Sequence, residues 1–195
     1  MMFTGRKRFL ACATELELAS PITDESESLA PGLGFSPSLL SYSLTPSTTA
    51  AAVEGSKMGY RVLTALCHKR STSAIRLLGA TSIFSAELHA ILLALDVVRR
   101  SKERHFLLLS DSYSSLIALG GSHVDQDTIY KYLKTYSTLT NSGKTLILCW
   151  IPGHVGIPGN ERADRVAKAA VSLPISPVKV SAMDFLPRTK LLMRK

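Results

Sequence analysis

The chain has 195 residues, of which 46% are hydrophobic, and it carries 23 Lys+Arg against 15 Asp+Glu. This length argues for one domain with tails rather than two full domains, and the hydrophobic share excludes a chain that is disordered throughout. No apolar run reaches the roughly 18–20 residues needed to cross a bilayer, so we expect no membrane span. The net charge of +8 favours an anionic partner. The cysteines fit neither a disulfide framework nor a zinc motif, which indicates a reducing, intracellular compartment, nuclear or cytoplasmic.

Two segments at the ends of the chain lack any lasting helical or strand period. More than half of residues 20–49 are Ser, Thr or Pro, and such a composition buries too little apolar surface to offset the entropy of ordering. We therefore predict a disordered Ser/Thr/Pro-rich leader over residues 1–49. The chain after residue 172 contains several prolines and ends in Arg194-Lys195, which predicts an extended basic tail over residues 173–195.

Between these segments, residues 50–172 show alternating strand and helix patterns. In chain order they predict a weak strand before Glu54, strands over 59–67 and 72–78, a helix capped by Ser82, a strand over 106–110, helices near 113–119 and 125–139, a strand over 144–150 and a helix capped by Asn160. The strands over 106–110 and 144–150 are almost wholly apolar, as strands buried on both faces are. Alternation of this kind predicts an α/β domain with a mixed sheet.

Three acidic residues lie at positions that suit either a ligand-binding or catalytic acid or an acid that only stabilises local structure. Asp111 directly follows an apolar strand, and ligands bind at the carboxyl ends of strands in open α/β sheets. Glu87 and Asp164 lie early in two predicted helices. Each also has a purely structural explanation, because acids near a helix start favour the helix dipole and Asp is a common turn residue. Single positions therefore leave both interpretations open.

Three segments taken together are far more specific than any one acid. They are residues 84–91 (FSAELHAI), 109–112 (LSDS) and 150–164 (WIPGHVGIPGNERAD). In this order and in these strand and helix contexts, they resemble the type 1 ribonuclease H domains carried by the reverse-transcriptase polyproteins of non-LTR retrotransposons. The resemblance implies a ribonuclease H-like α/β fold over residues 50–172, with a central mixed five-stranded sheet flanked by helices.

The resemblance also implies an activity, namely hydrolysis of the RNA strand of an RNA/DNA hybrid with two Mg²⁺ ions, for which Mn²⁺ can substitute. Glu54, Glu87, Asp111 and Asp164 would be the catalytic, metal-binding carboxylates, and His154 would help protons or product to leave. A carboxylate cluster suits this role because Mg²⁺ takes oxygen ligands. The implied partner is the hybrid, without a membrane, and the chain would be a monomer or part of a larger polyprotein.

The first carboxylate departs from the family pattern, in which an Asp stands in a Thr-Asp-Gly-Ser context. Glu54 takes that place, after an alanine-rich strand. Its additional methylene moves the carboxylate by roughly 1 Å, and misplacement of that size can cost about a hundredfold in rate. Asp24 is the only upstream Asp, but it lies in the low-complexity leader and is rejected as a ligand. The sequence therefore leaves open an active ribonuclease H and a catalytically impaired retroelement remnant that keeps the fold and binds nucleic acid.

Basic residues outnumber acidic ones within residues 50–172, so the positive surplus belongs mostly to the domain. Arg99, Arg100, Lys131 and Lys134 are candidate phosphate contacts or simply parts of a solvated face. A chromatin or RNA-packaging module that acts through basic tails is a further alternative. It has little support beyond Arg6-Lys7-Arg8 and the last few residues.

Overall fold

The computed structural model describes residues 9–11, 48–68, 71–120 and 127–185. Its strands are β1 (Phe9–Ala11), β2 (Thr49–Met58), β3 (Arg61–His68), β4 (Ser71–Leu77), β5 (His105–Ser110) and β6 (Thr145–Trp150). Its helices are α1 (Ile83–Arg100), α2 (Tyr113–Gly120), α3 (Asp127–Asn141) and α4 (Pro158–Ala169), and a 3-10 turn (Ala170–Ser172) follows α4. None of the described helices is both long enough and apolar enough to span a membrane.

All described strands form one sheet in the order β1-β6-β5-β2-β3-β4. β2 lies in the middle, antiparallel to β3 and parallel to β5, and β6 continues the parallel side. This arrangement confirms the predicted mixed five-stranded sheet flanked by helices. One more short strand, β1, pairs in parallel with the outer side of β6. It falls in the segment predicted as a disordered leader, and the rest of that segment up to residue 47 lies outside the described residues.

The apolar strand β5 shows how the two faces of the sheet are covered. Phe106 and Leu108 belong to the core cluster that includes side chains of α1, α2 and α3. Leu107 and Leu109 belong to a second cluster, which includes Ala163 of α4. Because side chains alternate between the faces of a strand, a continuous apolar run is what a sheet with helices on both sides requires.

The alanines of β2, which make the strand look weak in the sequence, permit a close approach of α4. Ala51, Ala52 and Val53 are all buried. A Cβ added to Gly159 at the start of α4 would lie 3.5 Å from the Cβ of Ala52, so small residues face each other there. Strand preference depends largely on such packing rather than on an intrinsic backbone tendency. β2 forms in full because its neighbours fit against small side chains.

Of the two predicted helix caps, one is confirmed and the other is wrong. Ser82 caps α1 as expected and accepts a hydrogen bond from the Ser85 backbone N–H at 3.1 Å. The predicted cap of the last helix is wrong, since α4 begins at Pro158 after the N-cap residue Ile157, and proline is favoured at a first helical position. Asn160 therefore lies inside the first turn. Asp164 consequently lies in the second turn rather than the first.

Residues 173–185 run back over the domain instead of leaving it. Ile175 forms an isolated parallel bridge with Arg76 of β4, and Val178 packs against a small apolar cluster formed by β3, β4 and α1. A helical turn over residues 182–185 brings Asp184 to Ser85, whose hydroxyl donates to Asp184 Oδ1 at 2.9 Å. The predicted extended tail is thus docked over this stretch, and residues 186–195 lie outside the described residues.

Replacing Ser85 with Ala should lower the free energy of unfolding by about 1.5–3 kcal/mol, since hydrogen bonds to charged groups contribute roughly that much. The buried carboxylate of Asp184 would lose its donor. Urea denaturation measures the effect, with the exposed helical serine in Ser114→Ala as the matched control. If the two serine variants unfold at the same urea concentration, the contact is not stabilising. Ser85→Ala combined with Asp184→Ala should cost less than the sum of the single changes.

Candidate metal centre

The register of the two central parallel strands places Glu54 and Asp111 side by side. β2 and β5 are paired so that Ala52 is opposite Leu109. Glu54 and Asp111 each follow two residues later, at the carboxyl end of the parallel pairing. The alternation that directs Ala52 toward α4 directs Glu54 to the same face of the sheet. Ligands in open α/β sheets bind at this end of the strands.

Glu87 reaches the same place from α1 because Gly55 lets the helix approach the strand. A Cβ on Gly55 would lie 2.7 Å from the Glu87 backbone nitrogen, a distance that any side chain would have to relieve by moving the helix. The Gly55 backbone N–H also donates a hydrogen bond to the Glu87 carboxylate. Gly55 therefore both lets α1 approach β2 closely and orients the Glu87 carboxylate.

Glu54, Glu87 and Asp111 form a group that we call the carboxylate triad. One carboxylate oxygen of each lies within 4.8 Å of the other two. The glutamates are buried, with 6% of Glu54 and 7% of Glu87 exposed. Within the described part of the chain, Glu54 Oε2 and Glu87 Oε2 accept no hydrogen bond. Buried acids without partners are costly in their charged form.

Burial and mutual repulsion change the pKa values of both glutamates. Burial, and then the charges of Asp111 and Asp164, raise the pKa of Glu54 to about 8. Burial, and then the charges of Glu54 and Asp111, raise the pKa of Glu87 to about 9, against a smaller opposite effect of the Gly55 hydrogen bond. The triad must therefore hold protons or a cation. Oxygen-only donors of this kind fit Mg²⁺ or Mn²⁺.

Asp111 is held from three sides by residues of the segment 150–164. The Trp150 indole Nε1–H donates to the Asp111 backbone oxygen at 3.1 Å. The Asn160 Nδ2 amide donates to Asp111 Oδ2, also at 3.1 Å. A Cβ on Gly153 would lie 2.6 Å from the same Oδ2 atom. Sequence reasoning missed this use of Asn160, although its position four residues before Asp164 on one helix face is a signal for it.

Asp164 does not join the triad within the same distance. One of its carboxylate oxygens lies instead within 4.8 Å of donor atoms of His154 and Glu161. Its Oδ2 forms an ion pair with Lys168 Nζ at 2.6 Å, one turn further along α4. The hydrogen bond to Asp164 raises the pKa of Lys168. The four carboxylates expected from the sequence thus divide into a triad that forms no ion pair within the described residues and a fourth acid that forms one with Lys168.

His154 lies in an exposed loop between β6 and α4. Its φ of 57° is the one positive φ at a non-glycine residue of the described chain, a conformation that costs energy and is often found at functional sites. Its side chain reaches Glu161 and Asp164 but not the triad. An exposed imidazole at the rim of an acidic site has access to both solvent and carboxylates.

The candidate phosphate contacts differ in their surroundings. Arg99 and Arg100 at the end of α1 form ion pairs with Asp96 at 2.6 and 2.8 Å. Lys131 and Lys134 are exposed on α3. The arginines therefore have an internal partner that a phosphate would have to replace, whereas the lysines extend into solvent.

The fold and the site together define a class, an α/β domain whose central strands carry clustered carboxylates at their carboxyl ends. The RNase H family model matches residues 46–172, which is more than half of the chain, and the chain belongs to the RNase H family. The activity of this family is ribonuclease H activity, the cleavage of RNA in RNA/DNA hybrids. No curated protein sequence gives a significant match.

Replacing Gly153 with Ala should move Asp111, because the new Cβ would meet Oδ2 at 2.6 Å. Displacing a group that orients a ligand typically lowers metal affinity about 10–100-fold. We expect Mn²⁺ affinity, measured by electron paramagnetic resonance, to fall by that amount. Gly159→Ala is the matched control, since its Cβ would make an ordinary 3.5 Å contact. Equal affinities for the two variants would show that Asp111 does not bind the ion.

The metal-free protein should lose stability as the pH rises from about 4.5 to about 9. The two glutamates ionise near 4.5 when unfolded but only near 8 and 9 when folded, so the folded state binds more protons and its stability falls with pH. Each glutamate that is protonated in the folded state but ionised in the unfolded state lowers the free energy of unfolding by about 1.4 kcal/mol per pH unit. Urea denaturation in a chelator measures it, and Glu54→Gln should give a shallower slope. A stability that is flat or rises over this range would contradict the burial of the triad.

Proposed function

We propose that this chain is a ribonuclease H that hydrolyses the RNA strand of RNA/DNA hybrids, with Glu54, Glu87, Asp111 and Asp164 as its metal ligands. The observation that carries the proposal is the carboxylate triad in a domain of this family. The triad is compact, its two glutamates are buried, and it forms no ion pair in the part of the chain that the structure describes. A purely structural role for these acids is a poor alternative. Three converging carboxylates destabilise a fold unless protons or a cation offset their charge.

Divalent ions bound by these carboxylates, two Mg²⁺ or Mn²⁺ in their place, would supply a nucleophile at neutral pH and neutralise charge on the phosphate. The chain itself supplies positioning. Asn160 and Trp150 fix Asp111, and the Gly55 amide fixes Glu87. His154, exposed beside Asp164, is the group that we propose to exchange protons with solvent as product leaves. Lys131 and Lys134 are free to approach the phosphate backbone of the hybrid.

The second candidate is the catalytically impaired remnant, which keeps the fold and binds nucleic acid without efficient cleavage. Glu54 is the observation that favours it, because the longer side chain stands where the family pattern has Asp. Support for retained activity comes from the geometry, since a Glu54 oxygen still lies within 4.8 Å of the ligand atoms of Glu87 and Asp111. The substitution keeps the ligand within reach of the site but changes the placement that metal sites need.

We further propose that the domain derives from the reverse-transcriptase polyprotein of a non-LTR retrotransposon and works as a monomer or within a larger polyprotein inside the cell. The segment 150–164 supports this origin by its resemblance to those polyproteins. The docking of residues 173–185 on the domain shows that the chain following the family-matched region is packed against it.

The deciding measurement is cleavage of a labelled RNA strand in an RNA/DNA hybrid with Mg²⁺ or Mn²⁺. We expect slow cleavage by the unmodified chain and a loss of at least about a hundredfold in Asp111→Asn. Glu54→Asp should accelerate cleavage, by up to about a hundredfold, because it restores the shorter side chain. Asp127→Asn, which changes an exposed acid on α3, is the matched control and should leave the rate unchanged.

The other outcomes separate the two candidates. Activity that is present only in Glu54→Asp would make the natural chain an impaired remnant. A folded protein without activity in any of these forms would mean that the four-carboxylate assignment is wrong. Equal activity in the unmodified chain and in Asp111→Asn would remove the triad from the chemistry altogether.

A further inference from the structure

Lys168 already occupies the position next to Asp164 that a cation would take. Its ammonium nitrogen lies 2.6 Å from Asp164 Oδ2. The two side chains differ in exposure, with 50% of the lysine and 10% of the aspartate exposed. The lysine is four residues after the aspartate on α4, where side chains of a helix meet. The contact therefore follows from the helix itself and needs no other partner.

The triad has no ion pair within the described residues, although the charge of Lys168 opposes the rise in the Glu54 pKa that burial causes. No ion pair among the described residues involves Glu54, Glu87 or Asp111, and two of their oxygens accept no hydrogen bond. A first divalent ion at the triad thus meets carboxylates that have no ion pair within the described part of the chain. A second ion at Asp164 meets a carboxylate whose Oδ2 is already in contact with an ammonium group.

We infer that Lys168 is a built-in competitor for the second divalent cation, so that in the absence of substrate a second ion binds at Asp164 more weakly than it would without this lysine. The inference rests on the proposed function, since it takes the triad and Asp164 as metal ligands. Lys168 acts here as a positioning residue, because it acts on the metal only through Asp164.

The physical basis is competition for one oxygen under repulsion between cations. A divalent ion that binds Asp164 Oδ2 must displace the ammonium group or lie beside it, and either costs electrostatic free energy. The flexible four-carbon stem of lysine allows the ammonium group to move into solvent or toward an anion. Phosphates of a bound nucleic acid are anions of this kind, so substrate binding would favour release of Asp164.

The test is Mn²⁺ binding to the substrate-free full chain, followed by electron paramagnetic resonance of the free ion. We compare the unmodified chain with Lys168→Met, Lys168→Arg and Arg165→Met. Lys168→Met should bind a second Mn²⁺ up to about fivefold more tightly than the unmodified chain, the upper range expected for losing one solvent-exposed ion pair. Lys168→Arg, which keeps the charge, should behave like the unmodified chain.

Arg165→Met is the matched control for net charge. It removes one positive charge from an exposed position on the same helix, so a general electrostatic effect would strengthen Mn²⁺ binding in both methionine variants. Tightening in Lys168→Met alone supports the inference, and equal isotherms for the two would overturn it. One tightly bound ion in every variant, with an unchanged second site, would refute the role of Lys168 and keep the triad. No bound ion in any variant would overturn both this inference and the proposed function.

Discussion

The mutual repulsion of Glu54, Glu87 and Asp111 is the constraint that the rest of the domain has to satisfy. Strand register fixes two of these acids, since the pairing of Ala52 with Leu109 sets both at one level of the sheet. The third arrives on a helix with an apolar face. Burial of that face and of the strands on both sides is the favourable free energy that holds the acids together. The cluster is thus stabilised by the core and opposed by its own charge.

Small residues decide how closely the surrounding elements approach the acids. Gly55 lets α1 lie against β2, and Gly153 lets the loop after β6 lie against the Asp111 carboxylate. Ala52 does the same for the start of α4. A side chain at Gly55 or Gly153 would collide with Glu87 or Asp111, so the surrounding elements would have to move and the acids with them. The alanines and glycines that make the sequence look poor in strand formers are what make the site compact.

Much of the architecture could be predicted because local sequence patterns determine the individual helices and strands. Ser82 followed by a helical apolar period predicts α1, and the apolar runs of β5 and β6 predict strands covered on both faces. The prediction of Asn160 as a helix cap is wrong because Pro158 starts the helix two residues earlier. A cap residue and a first-turn residue differ only in backbone conformation, which the sequence alone does not reveal. The pairing of β1 with β6 and the docking of Asp184 on Ser85 join segments far apart in the chain. No local pattern carries such contacts, so only the structure reveals them.

Among the four acids, only Asp164 forms an ion pair within the described residues. This difference follows from the secondary-structure elements on which the acids lie. Glu54, Glu87 and Asp111 come from two strands and a helix, and none of them forms an ion pair in the described part of the chain. Among them, the charge of Lys168 reaches Glu54, where it opposes the rise in pKa that burial causes. Asp164 is inside a helix, where the residue four positions later is always near, and in this chain that residue is Lys168. The competition for Asp164 that we infer is then a consequence of helix geometry, since the helix itself brings the lysine to the aspartate before any substrate binds.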